Sequence, residues 1–486
     1  MQSTYNSTIR IIANNQDYDY FNPKNIIIEE PSIGTGFFID KNIIITCAHV
    51  VDLSKTIYFT VPTVSRDKYQ AKIQYICPSL DIAILQSINY ESEHFFNLHN
   101  SDHIILQEPI TVLGFPLGSD KLKVTKGIIS GNEDGYIQID SAINSGNSGG
   151  PLLNIDQKVI GIISSKVINA DNIGYAIPIN LLTIFKNNNT SKIYYSCNLL
   201  ANFCNTSEYR INLLNELVGR TTTVTDTEKK DKDKENRENR ENRENRENKD
   251  KDKDNRDKEN RDKDKDDKII SGLTITKMSK ISPLKNIGID LFDLIMEIDN
   301  KLINNFGELT ININKFISIK MDLINYIERL IPNNEYQIKF FSISKQKIIN
   351  STIFFPNENN INIKKILPAF DKLEYINIAG LILTPLTVNA LEIHNKVSTR
   401  LKKYLYYNDI FDPIVFVANI EPSSPFRLSE NINIGDIIDK INGLKILTLN
   451  DIHNIISNIA NIKYITIETK NNKIDTISTD LIKLIQ

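Results

Sequence analysis

The chain has 486 residues, with 57 Lys+Arg against 60 Asp+Glu, a formal net charge of −3, four Cys and no Trp. That length exceeds a single hydrophobic core and predicts two to four domains, while a hydrophobic share of 41% excludes wholesale disorder. The slightly acidic balance lacks the basic footprint of a dedicated nucleic-acid or anionic-membrane protein, and four Cys with no CxxC pair do not form a disulfide framework.

Residues 1–24 read as an N-terminal extension. Their start, MQSTYNSTIRIIANNQDYDY, has no apolar signal core. No run in the chain approaches the ~18–20 apolar residues that a membrane helix needs. The expectation is a cytoplasmic protein with free thiols, or one of the host cytoplasm or virion if the source is a virus. Neither a membrane nor a nucleic-acid partner is expected.

Residues 25–190 contain closely spaced short β segments separated by Gly, Pro, Asn or Asp. Examples are Gly36-Phe-Phe-Ile-Asp, Asn42-Ile-Ile-Ile-Thr, Ile82-Ala-Ile-Leu, Ile110-Thr-Val-Leu-Gly and Val159-Ile-Gly-Ile-Ile. This pattern predicts an all-β sandwich or barrel. From about residue 193 the pattern turns to α+β. A helical spacing over Leu323–Leu330 precedes a strand at Tyr336–Ser342, and the same order recurs with a helix at Leu449–Ala460 and a strand at Tyr464–Glu468. A duplicated small domain is expected, at 193–355 and 372–486.

The stretch 226–268 is a low-complexity charged insertion. From 228 onward it holds 17 acidic residues, 17 basic residues and 7 Asn, and nothing else. Without an apolar stripe it cannot join a core, and it reads as a solvated, disordered tether.

Three motifs in the β-rich region bring a base, an acid and a nucleophile in a fixed order. They are Thr46-Cys-Ala-His-Val-Val, Asp81-Ile-Ala-Ile-Leu and Asn144-Ser-Gly-Asn-Ser-Gly-Gly-Pro151. A serine hydroxyl needs a neighbouring base to become a nucleophile at neutral pH. His49 titrates in the right range to take the proton of Ser148. Asp81 would fix the imidazole tautomer and stabilise the imidazolium. The glycine turn would aim the backbone N–H groups of Gly146 and Ser148 at a developing oxyanion, with Gly149 and Gly150 leaving room for substrate. The order His, Asp, Ser excludes the α/β-hydrolases and subtilisins.

These motifs resemble those of the HtrA/Deg proteases. Gly34-Thr-Gly-Phe-Phe-Ile, Gly114-Phe-Pro-Leu-Gly, Lys126-Gly-Ile-Ile-Ser and Ile173-Gly-Tyr-Ala-Ile-Pro extend the similarity over about residues 25–185. The resemblance implies a chymotrypsin-like double β-barrel and an ATP-independent serine endopeptidase that cleaves unfolded or misfolded proteins. Ser145 replaces the family's usual Pro and Cys47 its usual small polar residue, so extra freedom in the 141–147 loop is expected.

Selection of a basic side chain would need an acid six residues before the serine, where this chain has Ala142. A small aliphatic residue is expected instead, in a pocket walled by Ala142, Ile162, Ser164, Ser165, Ile173 and Tyr175. No cofactor is called for. His94, His99 and His103 match no standard zinc spacing, and no metal site is expected.

The C-terminal half resembles two PDZ-type domains of the plant Deg arrangement. The first is carried by Gly272-Leu-Thr-Ile-Thr, Ser282-Pro and Asp293-Leu-Ile-Met-Glu-Ile-Asp, with Ser196–Cys204 as its upstream strand and loop; Asp290-Leu-Phe-Asp departs from the usual Gly-Asp. The second is carried by Ala379-Gly-Leu-Ile-Leu-Thr-Pro-Leu, Pro422-Ser-Ser-Pro and Gly435-Asp-Ile-Ile-Asp-Lys-Ile-Asn-Gly443. The resemblance implies capture of peptide C-termini and a homo-oligomer, a trimer or a multiple of one. A catalytically silent peptide-binding chaperone or scaffold stands as the alternative function.

Overall fold

The computed structural model describes residues 2–133, 135–164, 173–185, 192–217, 269, 271–279, 281–312, 318–356, 363–394, 401, 404, 413–457 and 462–481. The charged run therefore lies outside the described residues. The chain divides into two compact units, one built from 1–198, 327–332 and 356–486, the other from 199–326 and 333–355.

The first unit opens with thirteen strands: β1 Thr8–Tyr18, β2 Ile26–Ile28, β3 Ser32–Asp40, β4 Ile43–Thr46, β5 Ser54–Thr60, β6 Tyr69–Cys77, β7 Ile82–Ser87, β8 Pro109–Gly114, β9 Lys123–Glu133, β10 Tyr136–Ile139, β11 Pro151–Leu153, β12 Val159–Ser164 and β13 Gly174–Pro178. The first sheet runs β2-β1-β3-β4-β7-β6-β5, and a further β1–β5 pairing joins its ends. Six strands thus close a barrel, with β2 on its outer edge. β8–β13 close a second six-stranded barrel in the order β10-β13-β12-β11-β8-β9.

Alternation along each strand fills these barrels. Ile9, Ile11 and Ala13 of β1 turn inward against Phe37, Phe38, Ile44, Ile45 and Phe59. Ile110, Val112, Ile129, Ile137, Ile139 and Leu152 fill the second barrel. The 1–24 segment is therefore not an appendage. Its strand β1 hydrogen-bonds to β3 from Thr8↔Phe37 to Ala13↔Ser32 and to β5 from Arg10↔Thr60 onward, and the barrel would stand open without it.

In the second unit the strand Ala201–Cys204 pairs antiparallel with Leu273–Met278, so the charged run falls between two neighbours of one sheet. That sheet continues through Leu294–Ile298, Asn334–Ser342 and Lys347–Phe355. The helix expected over Leu323–Leu330 is Leu323–Glu328. In the C-terminal part of the first unit, the expected helix is Leu449–Ile456, held by a capping box between Thr448 and Asp451. The strand Tyr464–Thr469 follows it.

Similar hydrogen bonds recur in the two stretches where a duplicated domain is expected. Ser282 Oγ donates to Leu199 O at 2.6 Å and Ser424 Oγ to Ala379 O at 2.8 Å. Ser279 N–H donates to Leu200 O and Glu421 N–H to Gly380 O. Phe292 N–H donates to Ile275 O, and Gly435 N–H to Val417 O, both at 2.8 Å. Phe292 (φ 71°) is thus left-handed at the corresponding hydrogen-bonded position to Gly435 (φ 85°). Asp290-Leu-Phe-Asp differs from Gly-Asp in side chain and keeps a left-handed residue at that point.

Candidate active site

The site is set where the two barrels meet. Strand β4 ends at Thr46, and the short helix Ala48–Val51 follows with His49 in it. β4 pairs with β7 in the register Thr46↔Ala83, which brings the entry to β7 beside the end of β4. Asp81 stands at that entry with φ 57°, a left-handed conformation that aspartate tolerates better than most residues.

This placement lets one carboxylate hold the histidine twice. His49 N–H donates to Asp81 Oδ1 at 3.0 Å, and His49 Nδ1 lies 2.9 Å from Oδ1 and 2.8 Å from Oδ2. The Asp81 side chain is nearly buried while the imidazole is partly exposed. Ser164 Oγ donates to Asp81 Oδ2 at 2.9 Å, from the end of β12 in the other barrel. With Nδ1 facing the carboxylate, Nε2 is the nitrogen left to face a hydroxyl or a substrate.

Ser148 sits in the turn before β11, and His49 and Ser148 line one cleft of about 570 Å³ together with Ile33, Val50, Leu117, Ser145 and Gly146. The glycine turn is locked by the first barrel. Thr35 Oγ1 donates to Gly146 O at 2.7 Å and accepts from Phe115 N–H at 3.1 Å, and Thr35 N–H donates to Ser148 O at 2.8 Å. A Cβ at Gly149 would stand 2.1 Å from Thr35 O, so only glycine fits there. Gly146 adopts φ 94°, where a side chain would also meet Phe115 O. Its N–H has no acceptor among the described residues, which leaves a donor beside Ser148.

The 141–147 loop, expected to be loose because of Ser145, is tied down. Ser145 O accepts from Leu117 N–H at 2.6 Å, and Asn147 N–H donates to Asn144 O.

The expected pocket walls divide. Ala142 is exposed on the loop. Ile162 is no wall: it is fully buried with Leu113, Leu153 and Ile177 in the cluster that holds the first barrel's core, while its neighbours Ile160 and Ile163 fill the second barrel. Ser164 is spent on Asp81. Tyr175 directs its hydroxyl to Glu133 at 2.7 Å, and Ile173 is partly buried at the entry to β13. Ser165 lies outside the described residues. Ile143, not singled out from the sequence, projects over Gly174, whose Cβ would come within 2.6 Å of it.

Cys47 brings its Sγ to within 4.8 Å of ligand atoms of His49 and Asp81. Burial and the neighbouring Asp81 charge push this thiol well above its ordinary pKa, and it donates to Ile163 O at 3.2 Å. A protonated thiol beside an imidazole and carboxylate already bonded to each other is a packed core group, not a ready metal ligand.

The region with two closed barrels, in which His49 and Ser148 line one cleft, matches the model of the trypsin-like peptidase domain over residues 34–162. A mitochondrial putative protease Do-like 3 of Arabidopsis thaliana is 35% identical over 193 residues, covering 37% of this chain and 34% of that protein. A probable periplasmic serine endoprotease, DegP-like, of Chlamydia trachomatis is 37% identical over 159 residues, 30% of this chain and 31% of that protein. This part of the chain is thus similar to Do-like and DegP-like proteases. Among solved structures, an HtrA-type protease AlgW with tripeptide aligns over 74% of this chain and 98% of its own, with 18% identity and a TM-score of 0.47.

The chain spans about a third of the length of these curated relatives. Their names are those of proteases, which lends the silent-scaffold alternative no support. The cytoplasmic expectation is corrected by the same comparison: similar proteins are named mitochondrial, chloroplastic or periplasmic. No described helix is long and apolar enough to cross a membrane.

Proposed function

We propose that the chain is an HtrA/Deg-like serine endopeptidase that hydrolyses peptide bonds of unfolded or misfolded proteins without ATP. The observation that carries this reading is the His49 imidazole, bonded through Nδ1 to Asp81 at 2.8 Å and sharing a cleft with Ser148. Ser148 Oγ attacks the substrate carbonyl carbon while His49 Nε2 takes the hydroxyl proton. The carbonyl oxygen becomes an oxyanion held by the N–H groups of Gly146 and Ser148. His49 then gives its proton to the leaving amine, the C–N bond breaks, and an ester to Ser148 remains. Water, deprotonated by the same imidazole, hydrolyses that ester. Asp81 supports the imidazolium in both steps, and Ser164 orients Asp81.

Ala142 supplies no acid for a basic side chain, and Ile143 over Gly174 narrows the acyl-side pocket. Both favour a small aliphatic residue before the scissile bond. The repeats at 193–355 and 372–486 act as PDZ-like modules that take peptide C-termini, and the enzyme assembles as a trimer or a multiple of one. Casein turnover tests the assignment. Ser148→Ala is expected to lose activity by about 10⁶-fold on the subtilisin precedent, and equal turnover by both proteins would overturn it.

A further inference from the structure

The cleft beside Ser148 is lined by none of the described residues expected to hold the acyl-side chain. Ala142, Ile173 and Tyr175 are absent from its walls, which are formed by Pro31, Ile33, Val50, Leu117 and Gly118 around His49, Ser145, Gly146 and Ser148. Its volume of about 570 Å³ falls within the usual range for a side-chain or ligand pocket. Chemistry gives the cleft its direction. The amine that leaves must receive its proton from His49, so the chain that continues from that nitrogen runs past the imidazole. His49 and Val50 form one side of this cleft.

Leu117 stands at its mouth in an unusual state. It is 81% exposed and has φ 53°, a left-handed conformation that is strained for a leucine. The turn is nonetheless pinned. Leu117 N–H is bonded to Ser145 O, and Arg10 Nη2 donates to Gly118 O at 3.1 Å. Ile33 Cδ1 lies beside Gly118, 3.5 Å from where a Cβ would stand, so Ile33 and the Leu117 turn adjoin along the cleft. An apolar side chain left exposed on a strained but anchored turn, beside a second apolar side chain, offers uncovered apolar surface to the cleft that both line. Among the described residues, no carboxylate or amine lines that space.

We infer that this cleft is the leaving-group subsite, with Leu117 and Ile33 selecting a large apolar side chain at one of the first two residues after the scissile bond. Successive side chains of an extended peptide point to opposite faces, so only one of those two positions enters the cleft. The inference rests on the protease reading, and adds to it a second point of selection on the opposite side of Ser148 from Ala142.

The test uses the full-length protein and a set of peptides with one fixed acyl side, varied to Leu, Gly, Asp or Lys at each of the first two positions after the cleaved bond. Each kcat/KM is divided by that same protein's rate on a chromogenic amide that ends at the scissile bond. The wild type is expected to favour Leu over Gly and Asp by about tenfold or more at one position, the scale of hydrophobic-pocket discrimination. Leu117→Gly relieves the left-handed strain, so loss of folding does not obscure the result, and it should reduce that preference to about threefold or less. Leu117→Asp should move the preference toward Lys. Equal ratios in all three proteins, or no preference at either position in the wild type, would overturn the subsite while leaving Ser148-dependent cleavage intact. Cleavage that persists unchanged in Ser148→Ala would instead remove the protease reading itself.

Discussion

Asp81 grips His49 by both its backbone N–H and its ring Nδ1, so a single carboxylate fixes the position of the helix residue and the orientation of its side chain. The two contacts come from the Thr46↔Ala83 register between β4 and β7, which sets the entry to β7 beside the histidine.

Asp81→Asn is expected to keep the fold and lower kcat by about 10⁴-fold, because an amide can hold the ring in the wrong tautomer. Ser164→Ala, which removes one of the carboxylate's donors, should cost far less, about tenfold. Steady-state kinetics with one peptide substrate checks both, and an Asp81→Asn enzyme within tenfold of wild type would contradict the assigned role.

Thr35 is a second support the motifs did not disclose. Its hydroxyl bridges Gly146 O and Phe115 N–H, which ties the glycine turn to the other barrel. Thr35→Val keeps the volume and leaves both groups short of a partner, at a cost of about 1–3 kcal/mol. The expected result is a fall in kcat of about 10- to 100-fold, restored by Thr35→Ser. A Val variant with unchanged kcat would show that the turn holds itself.

Much of this site was legible because its chemistry needs fixed residue types in fixed order. His49, Asp81 and Ser148 announce themselves by the strands and glycines around them. Partners that depend on which way a strand turns were not legible. Ser164 and Ile162 lie two residues apart on β12, a spacing that leaves their common face undecided until the pairing is known. Strand β1 was missed for a related reason: Thr8–Tyr18 mixes Asn, Gln and Asp among its inward Ile residues, so composition suggested a tail. A shared element order is visible in the sequence, yet the Phe292 and Gly435 correspondence emerged only from similar hydrogen bonds.

Phe292→Gly tests that correspondence. The phenylalanine ring is more than half exposed and its φ is 71°, so glycine gives up little packing and relieves the left-handed strain. The unfolding free energy of the second unit should rise by about 0.5–1 kcal/mol in urea titration. A destabilised variant would mean that the ring contributes packing that outweighs its backbone strain.

The thiols predict a pH effect and a labelling pattern. Cys47, Cys77 and Cys197 are buried and Cys204 is exposed, so a colorimetric thiol reagent should modify one thiol in the native protein and four in denaturant. Burial pushes the Cys197 thiol up to about 12, from an ordinary value of 9.0. The unfolded chain therefore releases this proton first. Its contribution to stability is fully present below pH 9.0 and is lost as the pH rises from there toward about 12. Urea midpoints measured across pH 8–10.5 should fall less steeply in Cys197→Ala than in wild type; parallel curves would contradict the shift.

The central claim is that Ser148 is an activated nucleophile. Incubation with a fluorophosphonate probe followed by peptide mapping is the most direct measurement. The account predicts one covalent adduct, on Ser148, abolished in Ser148→Ala and strongly slowed in His49→Ala. A correctly folded wild-type protein that stays unlabelled, or one labelled at another serine, would contradict it.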